Sequence, residues 1–109
     1  MQRIYRLTKN SSFNYIYKKG ESKSSKSLTL TFIKASNVKL GVSVSKKIGK
    51  SVVRSLVKRR IKESFRLFIP AITVKCNYVI IARQGVEERT FAEISKEIEG
   101  LLKRLKHLE

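Results

Sequence analysis

Carboxylates are scarce in this sequence, and aspartate is missing altogether: all 8 acidic residues are glutamate, beside 1 histidine and 1 cysteine. Hard cations such as Mg²⁺ take oxygen ligands, so a metal-dependent nuclease needs clustered carboxylates. Most of the glutamates fall between Glu87 and Glu109, away from the basic part of the chain. The sequence therefore predicts a protein with no metal site and no catalytic residues of its own.

The scarcity of cysteine and of long apolar stretches bears on the cellular location of the protein. A single cysteine, Cys76, excludes an internal disulfide and is typical of a reducing compartment, and the apolar run after it predicts a buried, inert thiol. No apolar stretch approaches the roughly 18 residues of a membrane span. Residues 1–10 show no cleavable signal pattern. We therefore expect a cytoplasmic protein without membrane contact. The lone histidine, His107, follows a Leu/Lys-rich helical pattern, and we expect its side chain to be exposed to solvent on the last helix.

Positive charge is the feature that the sequence has in excess. It contains 25 Lys and Arg against 8 acids, a formal net charge of +17 over 109 residues. Residues 1–83 hold 20 basic and 2 acidic residues, whereas residues 84–109 hold 5 and 6. A single-sign surface of this size repels itself unless a polyanion is the partner. The composition thus indicates one domain, residues 1–109, that binds nucleic acid.

The hydrophobic patterns predict an α+β fold, a two-layer sandwich of helices on a small mixed sheet. Leu28–Ile33 and Leu40–Ser45 alternate like strands joined by a hairpin turn at Ala35–Val38, and Gly20–Ser27 is predicted to be a mobile loop. The element order is α-β-β-(β)-α-β-α, with the first β run open to division into two strands. The remaining predicted elements are helix Thr8–Lys19 (capped by Asn10, Ser11 or Ser12), helix Ser51–Phe68 ending before Pro70, strand Asn77–Arg83, and a last helix with a capping box at Thr90–Glu93.

The segment from Lys46 to Arg66 carries the strongest functional signal, with nine basic residues and one acid. On a helix, Val53, Val57, Ile61 and Phe65 form one apolar ridge, and Arg54, Lys58, Lys62 and Arg66 form a cationic ladder beside it. Cations at i, i+4 repel one another, so the ladder indicates an anionic partner. The helix N-terminus also suits phosphate.

The same segment resembles the signature of the bacterial ribonuclease P protein subunit. Leu40 to Arg66 reads LGVSVSKKIGKSVVRSLVKRRIKESFR, and the family has a strand ending in Ser-Lys-Lys-x-Gly before a helix with Arg-Asn-Arg-x-Lys-Arg. Phe13 to Gly20, FNYIYKKG, is similar to the family's first helix, and Tyr78–Arg83 to its last central strand. The resemblance implies a left-handed β-α-β crossover, as in a small-subunit ribosomal protein domain.

The resemblance also implies a function and a set of residues. The protein would bind the catalytic ribonuclease P RNA and the 5′ leader of precursor tRNA, with no obligate protein partner. The RNA subunit would bind most of the Mg²⁺ and perform the hydrolysis that gives the mature tRNA 5′ end. Phe13 and Tyr17 would line the leader cleft. The RNA-binding cations would be Lys46, Lys47, Lys50, Arg54, Lys58, Arg59, Lys62 and Arg66.

Two departures and three alternatives accompany this interpretation. Ser55 and Leu56 stand where the family usually has Asn and Arg. Arg60 stands where an apolar residue is common, and its positive charge could partly replace that of the missing Arg. The alternatives are a ribosomal or translation-linked RNA-binding protein, a self-contained nuclease, and a membrane-active cationic protein. The missing Asp argues against the second, and the globular apolar pattern argues against the third.

Overall fold

Over the residues that the structure describes, a four-stranded mixed sheet with three helices forms the fold. The computed structural model describes residues 7 and 10–108, with the side chains of residues 10–12 left out. The predicted Thr8 and the capping side chains of Asn10, Ser11 and Ser12 lie outside the described part. The elements are α1 (Asn10–Lys19), β1 (Glu21–Ser24), β2 (Leu28–Lys34), β3 (Lys39–Ser43), α2 (Ser51–Phe68), β4 (Cys76–Ala82) and α3 (Phe91–Arg104). The predicted α+β class is confirmed.

The strand order is β1-β2-β4-β3, with β2 antiparallel and β3 parallel to β4. The predicted hairpin between β2 and β3 is therefore wrong, because β4 lies between them. Tyr78, Val79 and Ile80 are fully buried, so β4 is apolar on both faces and occupies the centre. The chain passes from β3 through α2 to the parallel neighbour β4. The hand of this crossover stays a prediction from the family resemblance.

The prediction of a mobile loop at Gly20–Ser27 is wrong for its first half. Glu21–Ser24 forms strand β1, which pairs with β2 from Glu21↔Phe32 to Ser24↔Thr29.

The side chain of Glu97, on α3, stabilises the turn between β1 and β2. Its carboxylate accepts hydrogen bonds from the Ser27 amide (2.9 Å) and the Ser27 hydroxyl (2.6 Å), and from Ser25. Burial alone would raise the pKa of Glu97, but these hydrogen bonds bring it below its ordinary value.

Helices α2 and α3 cover one face of the sheet and enclose the main core. Val57, Ile61 and Phe65 of α2 meet Ile94 and Ile98 of α3 in one buried cluster with the sheet. The capping box at the start of α3 is confirmed: the Glu93 amide donates to Thr90 Oγ1 (3.2 Å) and the Thr90 amide to Glu93 Oε1 (2.9 Å). The end of α2 also matches the prediction, although Ile69 has helical geometry and opens a short 3₁₀ turn through Pro70.

Helix α1 packs on the opposite face of the sheet. Strand residues alternate between faces, and Leu30 and Leu40 point to the α2–α3 core, so Thr31 and Gly41 point to α1. Ile16 is 1% exposed and anchors the helix there. The position of α1 beside β3 creates the groove described below.

His107 is buried, at 8% exposed, and its predicted surface role is wrong. Helix α3 ends at Arg104, and the chain folds back, so that the His107 ring lies between Phe32 and Tyr78. Its Nδ1 is 2.8 Å from the Tyr78 hydroxyl. Desolvation lowers the pKa of His107 from its ordinary value. The Leu/Lys-rich sequence 101–106 continues the helical pattern of α3. The helix nevertheless ends at Arg104, where the chain turns so that His107 contacts Phe32 and Tyr78.

Candidate nucleic-acid interface

The loop between β3 and α2 displays cations around one buried anchor. A 3₁₀ turn spans Lys46–Ile48, and Ile48 is buried in the core at 7% exposed. Lys46, Lys47 and Lys50 are all exposed. The buried Ile48 side chain therefore fixes the position of the loop, while the ammonium groups of the three lysines remain in solvent.

Arg54 connects this loop to α2. Its Nε donates to the Gly49 carbonyl at 3.2 Å, and its backbone amide donates to the Lys50 carbonyl at 3.0 Å. The side chain is half-buried. One part of the guanidinium thus holds the basic loop against the helix, which the sequence pattern did not reveal.

The apolar ridge of α2 packs inward as predicted, with Val57, Ile61 and Phe65 at 1% exposed or less. The neighbouring cations consequently face outward. Lys58, Arg59 and Arg66 are exposed, whereas Arg54 and Lys62 are half-buried. A shallow notch of about 300 Å³ lies on this surface, lined by Ser55, Lys58, Arg59, Lys62 and Glu63.

Arg66 of the ladder and the neighbouring Arg60 also have protein partners. Arg66 forms a 3.0 Å ion pair with Glu63, and this hydrogen bond and charge lower the pKa of the Glu63 carboxyl. Arg60, proposed above as a partial replacement for a family cation, donates from Nη1 to the Arg89 carbonyl at 2.9 Å and is half-buried. Arg60 thus links α2 to the segment before α3.

A groove of about 570 Å³ opens between α1, β3 and α2. The Phe13 ring packs so closely on Gly41 that a Cβ at that position would overlap it, and Phe13 is half-buried. Tyr17, one turn later, is 40% exposed. The groove is lined by Phe13, Asn14, Tyr17, Val42, Ser43, Val44 and Lys58.

Lys58 lines both the groove and the notch on α2, so the aromatic and cationic surfaces are contiguous. The structure therefore brings Phe13 and Tyr17 together with the ladder, although they are about 40 residues apart in sequence. Sequence reasoning missed Asn14 and Ser43, which supply the polar lining. Polar residues on the exposed side of a predicted helix and strand carry no signal that they face each other.

Within the described part of the chain, no group of three or more His, Cys, Asp or Glu side chains could hold a metal ion. No helix among the described residues is long and apolar enough to cross a membrane. Charge and shape together define this chain as a small basic α+β protein in which a cationic helix borders an open aromatic groove.

Comparison with known proteins identifies the family. The Ribonuclease P family model matches residues 1–106. The ribonuclease P protein component of Clostridium kluyveri is 45% identical over 105 residues, which cover 93% of this chain and 94% of that protein. The chain therefore belongs to the ribonuclease P protein component family. Membership implies a role in tRNA 5′ processing, as a component of an endoribonuclease that associates with the ribonuclease P RNA.

Solved structures agree with this assignment. The Staphylococcus aureus RNase P protein superposes with a TM-score of 0.87 at 34% identity, covering 96% of this chain and 98% of that one. A second match is a mutant of the Staphylococcus aureus RNase P protein with defective mRNA degradation activity, also with a TM-score of 0.87 and 34% identity, covering 95% and 90%. The resemblance inferred from the Leu40–Arg66 segment is confirmed.

Proposed function

We propose that the chain binds the ribonuclease P RNA through the loop and outer face of α2, and the single-stranded 5′ leader of precursor tRNA in the groove. The observation that carries this proposal is the continuity of the two surfaces at Lys58. A single RNA strand that leaves the structured RNA bound on the ladder can enter the groove and still lie beside a positively charged side chain, Lys58. The predicted RNA-binding residues are the eight cations from Lys46 to Arg66 named above, and Phe13 and Tyr17 are the leader contacts.

The groove suits single-stranded RNA better than a duplex. Unstacked bases gain free energy by stacking on aromatic rings, and the phosphates between them need nearby cations. Tyr17 offers an accessible ring, Phe13 forms a wall that cannot retreat past Gly41, and Lys58 offers an ammonium group. These three features together can hold a few nucleotides without reading a helical groove.

Catalysis is assigned to the RNA subunit. The described side chains supply no carboxylate cluster for Mg²⁺. The protein would act by positioning the leader and by screening phosphate repulsion that divalent ions otherwise have to screen, with a formal charge of +17 available for this purpose. Removal of the leader would then give the mature tRNA 5′ end in the cytoplasm, where precursor tRNA is processed.

A magnesium titration tests this function. Purified protein, treated with ribonuclease that is then removed, is combined with a bacterial ribonuclease P RNA and precursor tRNA. We expect cleavage at the mature 5′ end at lower Mg²⁺ than the RNA alone requires, and none with protein alone. Site-specific cleavage by the protein alone would overturn the assignment of catalysis to RNA.

An mRNA substrate belongs in the same assay, because one structural relative is a mutant with defective mRNA degradation activity. Cleavage of mRNA by the RNA-free protein, with no cleavage of precursor tRNA, would add a second activity without removing the first. The readout is the position of the cut, mapped at single-nucleotide resolution.

A further inference from the structure

The basic loop, Lys46–Lys50, is attached to the rest of the protein by the side chains of Ile48 and Arg54. Ile48 inserts into the core and is 7% exposed. Arg54, in the first turns of α2, donates from Nε to the Gly49 carbonyl at 3.2 Å. The two attachments act on consecutive loop residues. Together they fix the orientation of the loop as well as its position.

The Gly49 carbonyl lies just outside the hydrogen-bond ladder of α2. The Arg54 amide bonds to the carbonyl of Lys50, the residue before the helix. Each helical amide bonds to the carbonyl four residues earlier, so the ladder does not extend back to Gly49. Gly49 lies so close to α2 that an added Cβ would be 3.2 Å from Val53 Cγ1. The Arg54 side chain thus gives this carbonyl a partner that the helix itself does not supply.

The position of the loop matters because Lys46, Lys47 and Lys50 are all exposed. A flexible segment that becomes ordered on binding costs free energy, and a segment held beforehand costs less. We propose that Arg54 is a positioning residue for RNA binding: its hydrogen bond to Gly49 holds the basic loop in the conformation in which the lysines contact phosphates. This inference rests on the proposed function and adds a role for Arg54 that is separate from its charge.

Two substitutions separate the hydrogen bond from the charge. The amide nitrogen of glutamine is bonded to Cδ, as Nε of arginine is, so Arg54→Gln removes the charge and keeps an N–H donor at the same point of the side chain. Methionine has a methyl group at that point, so Arg54→Met removes both. The two variants have the same net charge, and the ratio of their affinities for RNA reports the hydrogen bond to Gly49.

Affinity for ribonuclease P RNA is measured by filter binding, after thermal melts show that both variants fold. We expect Arg54→Met to bind about fivefold more weakly than Arg54→Gln, the effect of one hydrogen bond. The pair is then compared in a background that carries Lys46→Gln, Lys47→Gln and Lys50→Gln. There the ratio should fall below about twofold, because no loop charge remains to be positioned.

The second background distinguishes positioning from a general loss of stability, which would give the same ratio whether or not the loop lysines are present. The matched control is the pair Lys58→Gln and Lys58→Met, an exposed cation of the ladder, whose affinities should agree within about twofold. Equal affinities of Arg54→Gln and Arg54→Met, or an unchanged ratio in the second background, would overturn the inference alone. Wild-type affinity of both the triple loop variant and Lys58→Gln would overturn the proposed function, and the inference with it.

Discussion

At the scale of single residues, Tyr17 is the clearest test of the groove. Its ring is 40% exposed, so truncation removes little core packing. Tyr17→Ala should weaken binding of a leader-containing substrate by about 1–3 kcal/mol, roughly 5- to 150-fold, because a base loses its stacking partner. Substrate without a leader serves as the control. A large fall in melting temperature without selective loss of leader binding would assign Tyr17 to the core.

His107 should make the stability of the protein depend on pH. Burial against Phe32 and Tyr78 lowers its folded-state pKa below the unfolded value near 6.5. The folded state therefore binds fewer protons, and the contribution of His107 is present above pH 6.5 and lost as pH falls toward the folded-state pKa.

The measurement is the free energy of unfolding of wild type and of His107→Gln from pH 8 to pH 5. We expect the advantage of the wild type to shrink as the pH falls. A constant difference between the two proteins across this range would contradict a buried neutral imidazole. Glu21 acts in the opposite direction and raises the pKa of His107, so Glu21→Gln should steepen the loss.

At the scale of secondary-structure elements, Gly41 determines how α1 docks on β3. An added methyl group would overlap the Phe13 ring, so Gly41→Ala has to displace either the ring or the helix. We expect weaker leader binding together with a lower melting temperature, although no aromatic side chain is removed. Leader binding at wild-type affinity would show that the groove does not depend on this contact.

Gly100→Ala is the matched control for that substitution. Gly100 lies in α3, and an added Cβ would meet no atom within 4 Å. Alanine is favoured over glycine in a helix interior, so this variant should gain about 1 kcal/mol of stability and bind leader normally.

Helix α2 allows its two proposed roles to be separated by two variants. Arg59 lines only the notch, whereas Lys58 lines the notch and the groove. Each alanine substitution should lower the log–log salt slope for RNA-subunit binding by about one unit or less. Only Lys58→Ala should also weaken leader binding, measured with leader-containing and leaderless substrates. Identical effects of the two variants on leader binding would contradict the proposed junction.

At the scale of the whole molecule, charge and topology act together. The nearly neutral segment 84–109 contributes α3, in which the Glu93 side chain caps the helix and the Glu97 side chain anchors a turn. Most of the basic residues, 20 of 25, lie in residues 1–83, in particular on the loop before α2 and the outer face of α2. The neutral C-terminal part completes the core behind the cationic surfaces.

The sequence by itself determined the elements with strong periodicity. The α2 ridge, the buried run of β4 and the capping box of α3 follow from local spacing, and each lies where it was predicted. The cationic ladder was equally evident, because a helix with one buried ridge must expose its neighbours. These properties depend on residues within one or two turns of each other.

Only the tertiary structure decided which elements meet. Local signals predict a β2–β3 hairpin. The apolar strand β4 lies between the two strands instead, because the central position buries both of its faces. His107 is buried because Tyr78, distant in sequence, bonds its ring, and the turn after β1 is held by Glu97 from α3. The groove exists because α1 packs across Gly41, a contact that no local pattern encodes.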